Sequence, residues 1–168
     1  MSRGPTTIES SGKVLGAEEF ARALPAGARL LGLDVGTKTV GLALSDVTRT
    51  IASGLTTLAR GKFSADARRL LELAQEHGVG GFVIGLPISL DGSEGPRAQA
   101  TRAFARNLGR LTPLPILLWD ERLTTAAAER SLLEADVSRR RRAQVIDKVA
   151  ATLILQSALD RLELFDRD

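Results

Sequence analysis

The feature that most constrains this chain is an aspartate near the end of an aliphatic run. Residues 30–35 read Leu-Leu-Gly-Leu-Asp-Val, and residues 39–44 read Thr-Val-Gly-Leu-Ala-Leu after a turn-prone Gly-Thr-Lys. This pattern predicts a β-hairpin whose first strand is buried on both faces. Because a buried, unpaired charge is costly, Asp34 needs a metal ion, a phosphate-bearing ligand with a cation, or a basic side chain as its partner. The alternative is an aspartate that caps a tight turn.

The rest of the chain predicts alternating strands and helices. Residues 50–58 suggest a third strand, and residues 81–86 and 115–119 form further aliphatic runs separated by helical periodicity. A hairpin followed by strand–helix alternation predicts an α/β fold with a mixed five-stranded sheet, its first three strands antiparallel, and helices on both faces. The final segments predict a helix from Thr124 or Thr125 to Ala135 and another from Arg140 to Leu164.

The domain organisation expected from the sequence is simple. Residues 1–28 are interpreted as a partly mobile N-terminal extension, and residues 29–168 as one folded domain.

Composition excludes several kinds of chemistry. The chain has no Cys, which excludes disulfides, thiolate metal sites and cysteine nucleophiles and suits a reducing cytoplasm. Its single His, His77, excludes a Ser-His-Asp triad unless His77 itself serves in it. No apolar run approaches the roughly 20 residues that span a bilayer, and the N-terminus lacks a signal-peptide core, so no membrane partner is expected.

Two further carboxylate positions stand out. Asp120 and Glu121 directly follow a buried strand and precede Arg122. The carboxyl ends of strands are where open α/β sheets bind ligands, although helix capping and an ion pair to Arg122 would also explain these residues.

Helical periodicity identifies Asp147 as the third carboxylate position. Asp147 shares a helix face with small and aliphatic residues at positions 150, 151, 154 and 158. Asp147 is therefore expected on the core side of the last helix, where a solvated aspartate would be out of place.

Carboxylates from remote segments, without His or Cys, point to oxygen-rich coordination of a hard cation. We expect Mg²⁺ or Mn²⁺, and such metals activate water and stabilise the leaving oxygen of a phosphodiester. The candidate metal ligands are Asp34, Asp120, Glu121 and Asp147.

A run of arginines suggests the substrate. Arg139, Arg140, Arg141 and Arg142 follow Ser138, a candidate helix cap, and so occupy a first helical turn where the dipole disfavours cations. Arginines placed there suit a polyanion, because guanidinium groups bind phosphates well. A solvated loop is the alternative. The other candidate nucleic-acid contacts are Lys38, Arg122 and Lys148.

The order of these motifs resembles the YqgF/RuvX family of RNase H-like proteins, which are described as pre-16S rRNA nucleases or Holliday junction resolvases. The matching pieces are Leu33-Asp34-Val-Gly-Thr-Lys-Thr-Val-Gly41, Val83-Ile-Gly-Leu-Pro87 with Asp91-Gly-Ser-Glu94, Asp120-Glu-Arg-Leu-Thr-Thr125 and Asp147-Lys-Val-Ala-Ala151.

The resemblance implies an RNase H-like fold, divalent-metal phosphodiester cleavage and trimming of the 5′ end of 16S rRNA precursors. It also implies Asp34, Glu121 and Asp147 as catalytic carboxylates, with Asp120 either binding metal or holding Arg122. The expected partner is RNA, as pre-16S rRNA or a pre-ribosomal particle, with branched DNA as the competing substrate. Monomer and homodimer both remain open.

Two rival interpretations also remain open. Asp34-Val-Gly-Thr resembles the first phosphate loop of actin-like kinases and ATPases, but 168 residues do not readily hold their second lobe. A non-catalytic RNA-binding factor in ribosome assembly would use the basic residues without needing the carboxylates.

Overall fold

The computed structural model describes residues 13–124 and 139–165, and from 139 to 147 it describes the backbone alone. Strands and helices follow one another as β1 (Val14–Leu15), α1 (Ala17–Ala23), β2 (Arg29–Val35), β3 (Thr39–Ser45), β4 (Ala52–Ala59), α2 (Phe63–Glu76), β5 (Val79–Leu86), α3 (Pro96–Gly109), β6 (Ile116–Asp120) and α4 (Arg139–Leu162). Single 3₁₀ turns follow β6 at Glu121–Leu123 and α4 at Glu163–Phe165. Residues 125–135 of the helix predicted after Thr124 lie outside the described residues.

One mixed sheet organises the described part of the chain. Its strand order is β1-β6-β5-β2-β3-β4. Strand β3 runs antiparallel to β2 and β4, whereas β2, β5, β6 and β1 pair in parallel. The α/β class and the antiparallel start of the sheet are therefore confirmed.

The sheet has six strands in the described residues, and the prediction of five was wrong. The additional strand is β1, which pairs with β6 through Val14 and Leu15. Two residues are too few to produce a period-two alternation, so the sequence pattern gave no sign of this strand.

Helices cover both faces of the sheet, as predicted. Helices α2 and α3 pack against one face, which carries Leu31, Leu33 and Ile84. Helices α1 and α4 pack against the other face, which carries Leu30 and Val83. Strands buried on both faces are uniformly apolar, which is why a carboxylate in β2 is conspicuous.

Helix α4 lies very close to the sheet. Its predicted inner stripe is confirmed at Ala150, Ala151, Ile154 and Ala158, all fully buried. A Cβ at Gly32 of β2 would lie 2.8 Å from the Leu155 Cβ and 3.3 Å from the Ala151 carbonyl oxygen. Gly32 is therefore needed for this helix to approach β2.

The N-terminal segment, as far as it is described, packs onto the same core. Phe20 of α1 is fully buried beside Leu117 and Leu159. Residues 1–12 lie outside the described residues, and the boundary at residue 28 stays a prediction. In the described residues no helix is both long and apolar enough to cross a bilayer.

Candidate active site

Asp34 lies near the carboxyl end of β2 with 2% of its surface exposed. Side chains alternate along a strand, so Asp34 shares the α4 face of the sheet with Leu30 and Gly32. On one side it pairs with Gly41 of β3. On the other, Leu33 pairs with Ile84, which places Gly85 of β5 next to Asp34. A buried carboxylate thus lies between two neighbours that have no side chains.

Glu121 approaches the same place from β6. It begins the 3₁₀ turn directly after β6, and its Oε2 atom lies 3.0 Å from the position of a Cβ on Gly85. The Cδ1 atom of Ile154 lies 2.5 Å from that position. The Glu121 carboxylate therefore lies above Gly85, the strand neighbour of Asp34. Two of the three carboxylates that the sequence predicted, Asp34 and Glu121, are therefore both neighbours of Gly85.

Asp120 holds Arg122, one of the two roles predicted for it. Its Oδ2 accepts a hydrogen bond from the Arg122 Nη2 at 2.7 Å, and its Oδ1 accepts from the Arg122 backbone N–H at 2.9 Å. The bond from the backbone N–H caps the 3₁₀ turn. The hydrogen bond from Arg122 holds the pKa of Asp120 below its usual value of 3.8. Metal binding by Asp120 stays a prediction.

Asp147 belongs to α4, but its side chain lies outside the described residues. Its backbone lies one helical turn before Ala151, whose carbonyl oxygen lies over Gly32 of β2. Convergence of Asp147 with Asp34 therefore stays a prediction. No cluster of three or more potential His, Cys, Asp or Glu metal ligands occurs among the side chains that the structure describes.

The loop between β5 and α3 lies beside Arg122 and is held by hydrogen bonds within the loop. Asp91 accepts hydrogen bonds from the Ser93 backbone N–H at 2.9 Å and hydroxyl at 2.6 Å, which lower the pKa of Asp91. A Cβ at Gly92 would lie 3.6 Å from the Arg122 Nη1. This guanidinium also helps to lower the pKa of Asp91 through its charge. Asp91 therefore stabilises its own turn by accepting hydrogen bonds from Ser93.

The predicted basic residues differ in how far they can be placed. Lys38 is exposed in the β2–β3 turn, and the exposed Lys148 lays its aliphatic chain along Gly54. Arg139, Arg140, Arg141 and Arg142 form the start of α4, but their side chains lie outside the described residues.

Two arginines near Asp34 were missed by the sequence reasoning. Arg97 donates through Nη2 to the Val35 carbonyl at 3.1 Å, and Arg60 donates through Nη1 to the Gly36 carbonyl at 2.7 Å. A signal for Arg97 was available, because it lies in the first turn of α3, where the helix dipole disfavours a cation.

The fold matches that of RuvC-like nucleases. The Thermus thermophilus RuvC structure in complex with a Holliday junction substrate superposes with a TM-score of 0.50, covering 80% of this chain and 96% of that one. Its sequence identity of 12% supports a likeness of fold alone. The chain therefore has an RNase H-like fold.

Sequence comparison identifies the family. Residues 28–161 match the family model described as RuvX, Holliday junction resolvase, and the chain belongs to this family. A relative from Paracoccus denitrificans is 63% identical over 89% of this chain and 95% of its own length. A relative from Rhodobacter capsulatus is 61% identical over 88% of this chain and 92% of its own length. Both are named "Putative pre-16S rRNA nuclease".

Proposed function

We propose that this protein is a divalent-metal-dependent nuclease that hydrolyses phosphodiester bonds during maturation of the 5′ end of pre-16S rRNA. The observation that supports this proposal is that the buried Asp34 and the Glu121 carboxylate both lie beside Gly85, on the α4 face of the sheet. Asp147 is the third proposed catalytic carboxylate, supplied by the helix that packs on this face.

The donor set fits a hard cation. Asp34 and Glu121 offer only carboxylate oxygens, which are the ligands that Mg²⁺ and Mn²⁺ prefer. Asp34, Glu121 and Asp147 would hold the metal, and Asp120 is a further candidate. A bound metal would supply an activated water and stabilise the leaving oxygen.

The protein's own groups would bind and orient the substrate. Arg122 is fixed by Asp120 through its Nε and Nη2 atoms, so one edge of its guanidinium is occupied and the remaining N–H groups are left for a phosphate. The β5–α3 loop, which lies beside Arg122 at Gly92, would border the path of the nucleic-acid strand.

RNA is the favoured substrate, and branched DNA is the competing one. The pre-16S rRNA nuclease name belongs to relatives that are more than half identical to this chain, whereas the solved Holliday junction complex is 12% identical. The family description nonetheless names a Holliday junction resolvase, so four-way junctions belong in the same assay. We place the activity in the cytoplasm, where ribosomes are assembled.

Cleavage by an Asp34→Asn variant tests the proposal. We expect it to lose about a thousandfold in Mn²⁺-dependent cleavage of pre-16S rRNA fragments, because several kcal/mol of charge stabilisation depend on the metal. Nucleic-acid affinity and the circular dichroism spectrum should persist. The matched control is Asp160→Asn, which neutralises an exposed carboxylate on α4.

The outcomes separate the candidate functions. Preferred cleavage of four-way junctions would favour the resolvase. Binding of RNA by the wild-type protein without any metal-dependent product would favour a non-catalytic assembly factor. Full cleavage by Asp34→Asn would refute the assignment of Asp34.

A further inference from the structure

The backbone that follows Asp34 is held by two cations from distant parts of the chain. Arg97, from the first turn of α3, donates to the carbonyl of Val35, the residue next to Asp34. Arg60, just after β4, donates to the carbonyl of Gly36. Both arginines are exposed. The residues on the carboxyl side of Asp34 are therefore flanked by positive charge that none of the predicted roles uses.

Arg60 is fixed in direction by a second contact. Its guanidinium carbon lies 5.6 Å from the centre of the Phe104 ring, and that ring packs edge-on against Phe63 at 5.3 Å. A guanidinium that is oriented before binding loses little freedom when it donates hydrogen bonds to a phosphate. The Arg60 backbone N–H donates to the Lys38 carbonyl at 2.9 Å, which places the exposed Lys38 turn beside Arg60.

These charges are not neutralised within the described part of the chain. Arg102 and Arg122 each pair with a carboxylate, whereas neither Arg60, Arg97 nor Lys38 forms an ion pair with a described side chain. A guanidinium carries five N–H donors, and the carbonyl bonds described above use one in each arginine.

We infer that Arg60, Arg97 and Lys38 form a phosphate-binding rim that holds the substrate strand on the carboxyl side of Asp34. The inference rests on the proposed function and names the surface along which the nucleic acid leaves the active site. Phosphates next to the one that is cleaved would contact this rim. Such contacts are independent of sequence and sensitive to salt.

The test compares salt dependence of binding without metal. A fluorescein-labelled single-stranded RNA is titrated with wild type and with the Arg60→Gln/Arg97→Gln double variant at several salt concentrations, in EDTA. Loss of two phosphate contacts should flatten the slope of log affinity against log salt by about 1.4, at roughly 0.7 per phosphate. Each single variant should flatten it by about 0.7, which keeps the test valid if the double variant does not fold.

The matched control is the Arg22→Gln/Arg110→Gln double variant, which removes the same charge. Arg22 bonds to Glu18 in α1 and Arg110 to Asn107 at the end of α3, remote in both cases from the carboxyl end of β2. If both double variants show the same slope of log affinity against log salt, the proposal that Arg60 and Arg97 contact phosphates is refuted. A wild-type protein that binds RNA but never cleaves it would refute the proposed function, and the slope comparison would still decide the rim.

Discussion

At the scale of single residues, the missing side chain of Gly85 leaves the space that the Glu121 carboxylate and Ile154 occupy. Glu121 Oε2 and Ile154 Cδ1 lie 3.0 and 2.5 Å from the place where any other residue would carry its Cβ. Ile154 is fully buried and cannot move without disturbing α4. The absence of a side chain at residue 85 thus lets one strand support both the acidic pair and the helix packing.

Replacing Gly85 by alanine should therefore impair both stability and activity. We expect Gly85→Ala to lower the free energy of unfolding by about 1–3 kcal/mol through overpacking. It should also displace the Glu121 carboxylate and weaken Mn²⁺ binding. Urea denaturation and calorimetric titration with Mn²⁺ would measure the two effects.

Gly61→Ala provides the comparison for Gly85→Ala. Its added Cβ would meet only Asp66 Oδ1, at 3.9 Å. This exposed substitution should change stability by no more than about 0.5 kcal/mol and leave Mn²⁺ binding intact. Unchanged Mn²⁺ affinity in Gly85→Ala would argue against Glu121 as a metal ligand.

At the scale of elements, the sequence predicted what local patterns specify. Asp34 was recognised because one strand is otherwise aliphatic, and the α4 stripe because its period matches a helix. Arg60 and Arg97 were missed because their partners lie 24 and 62 residues away in the chain. The sequence shows a glycine at position 85, but not why it is needed. Its role depends on contacts with Glu121 and Ile154, which belong to other elements. Contacts of this kind follow from the packing and not from any periodicity.

The ion pair that ties the β5–α3 loop to helix α3 can be tested through the pH dependence of stability. Glu94 accepts two hydrogen bonds from Arg102 of α3, at 2.6 and 2.7 Å, and these bonds lower the pKa of Glu94 from its usual 4.5. Such a carboxylate stabilises the fold above its unfolded-state pKa, and this contribution disappears as the pH falls through the lowered folded pKa.

Arg102→Gln should therefore be less stable than wild type at neutral pH, and the difference should shrink once the pH falls below 4.5. Because both side chains are partly exposed, the effect should be small. Urea denaturation across the pH range would measure it, with the exposed Arg106→Gln on the same helix as the control. A difference that does not depend on pH would mean that Arg102 acts through packing.

At the scale of the whole molecule, the candidate site lies at the carboxyl ends of the interior strands β2 and β5, and the N-terminal segment packs at the other side of the sheet's β6 and on its α4 face. Strand β1 extends the sheet beyond β6, and α1 packs beside α4. The Phe20 ring closes over Gly81 of β5, where a Cβ would lie 2.9 Å from its Cζ atom. Residues 14–23 therefore contribute buried surface to the core that positions α4, although they carry no chemistry of their own.

Removing the Phe20 ring should reveal this contribution. Phe20→Ala deletes a fully buried side chain, and we expect it to lower the free energy of unfolding by about 3–5 kcal/mol in urea denaturation. Val14→Ala, which truncates a 44% exposed side chain of β1, should cost about 0.5 kcal/mol or less. Equal, small losses in the two variants would show that α1 detaches without unfolding the sheet. A large loss confined to Phe20→Ala would make α1 part of the cooperative unit that holds α4 against the sheet.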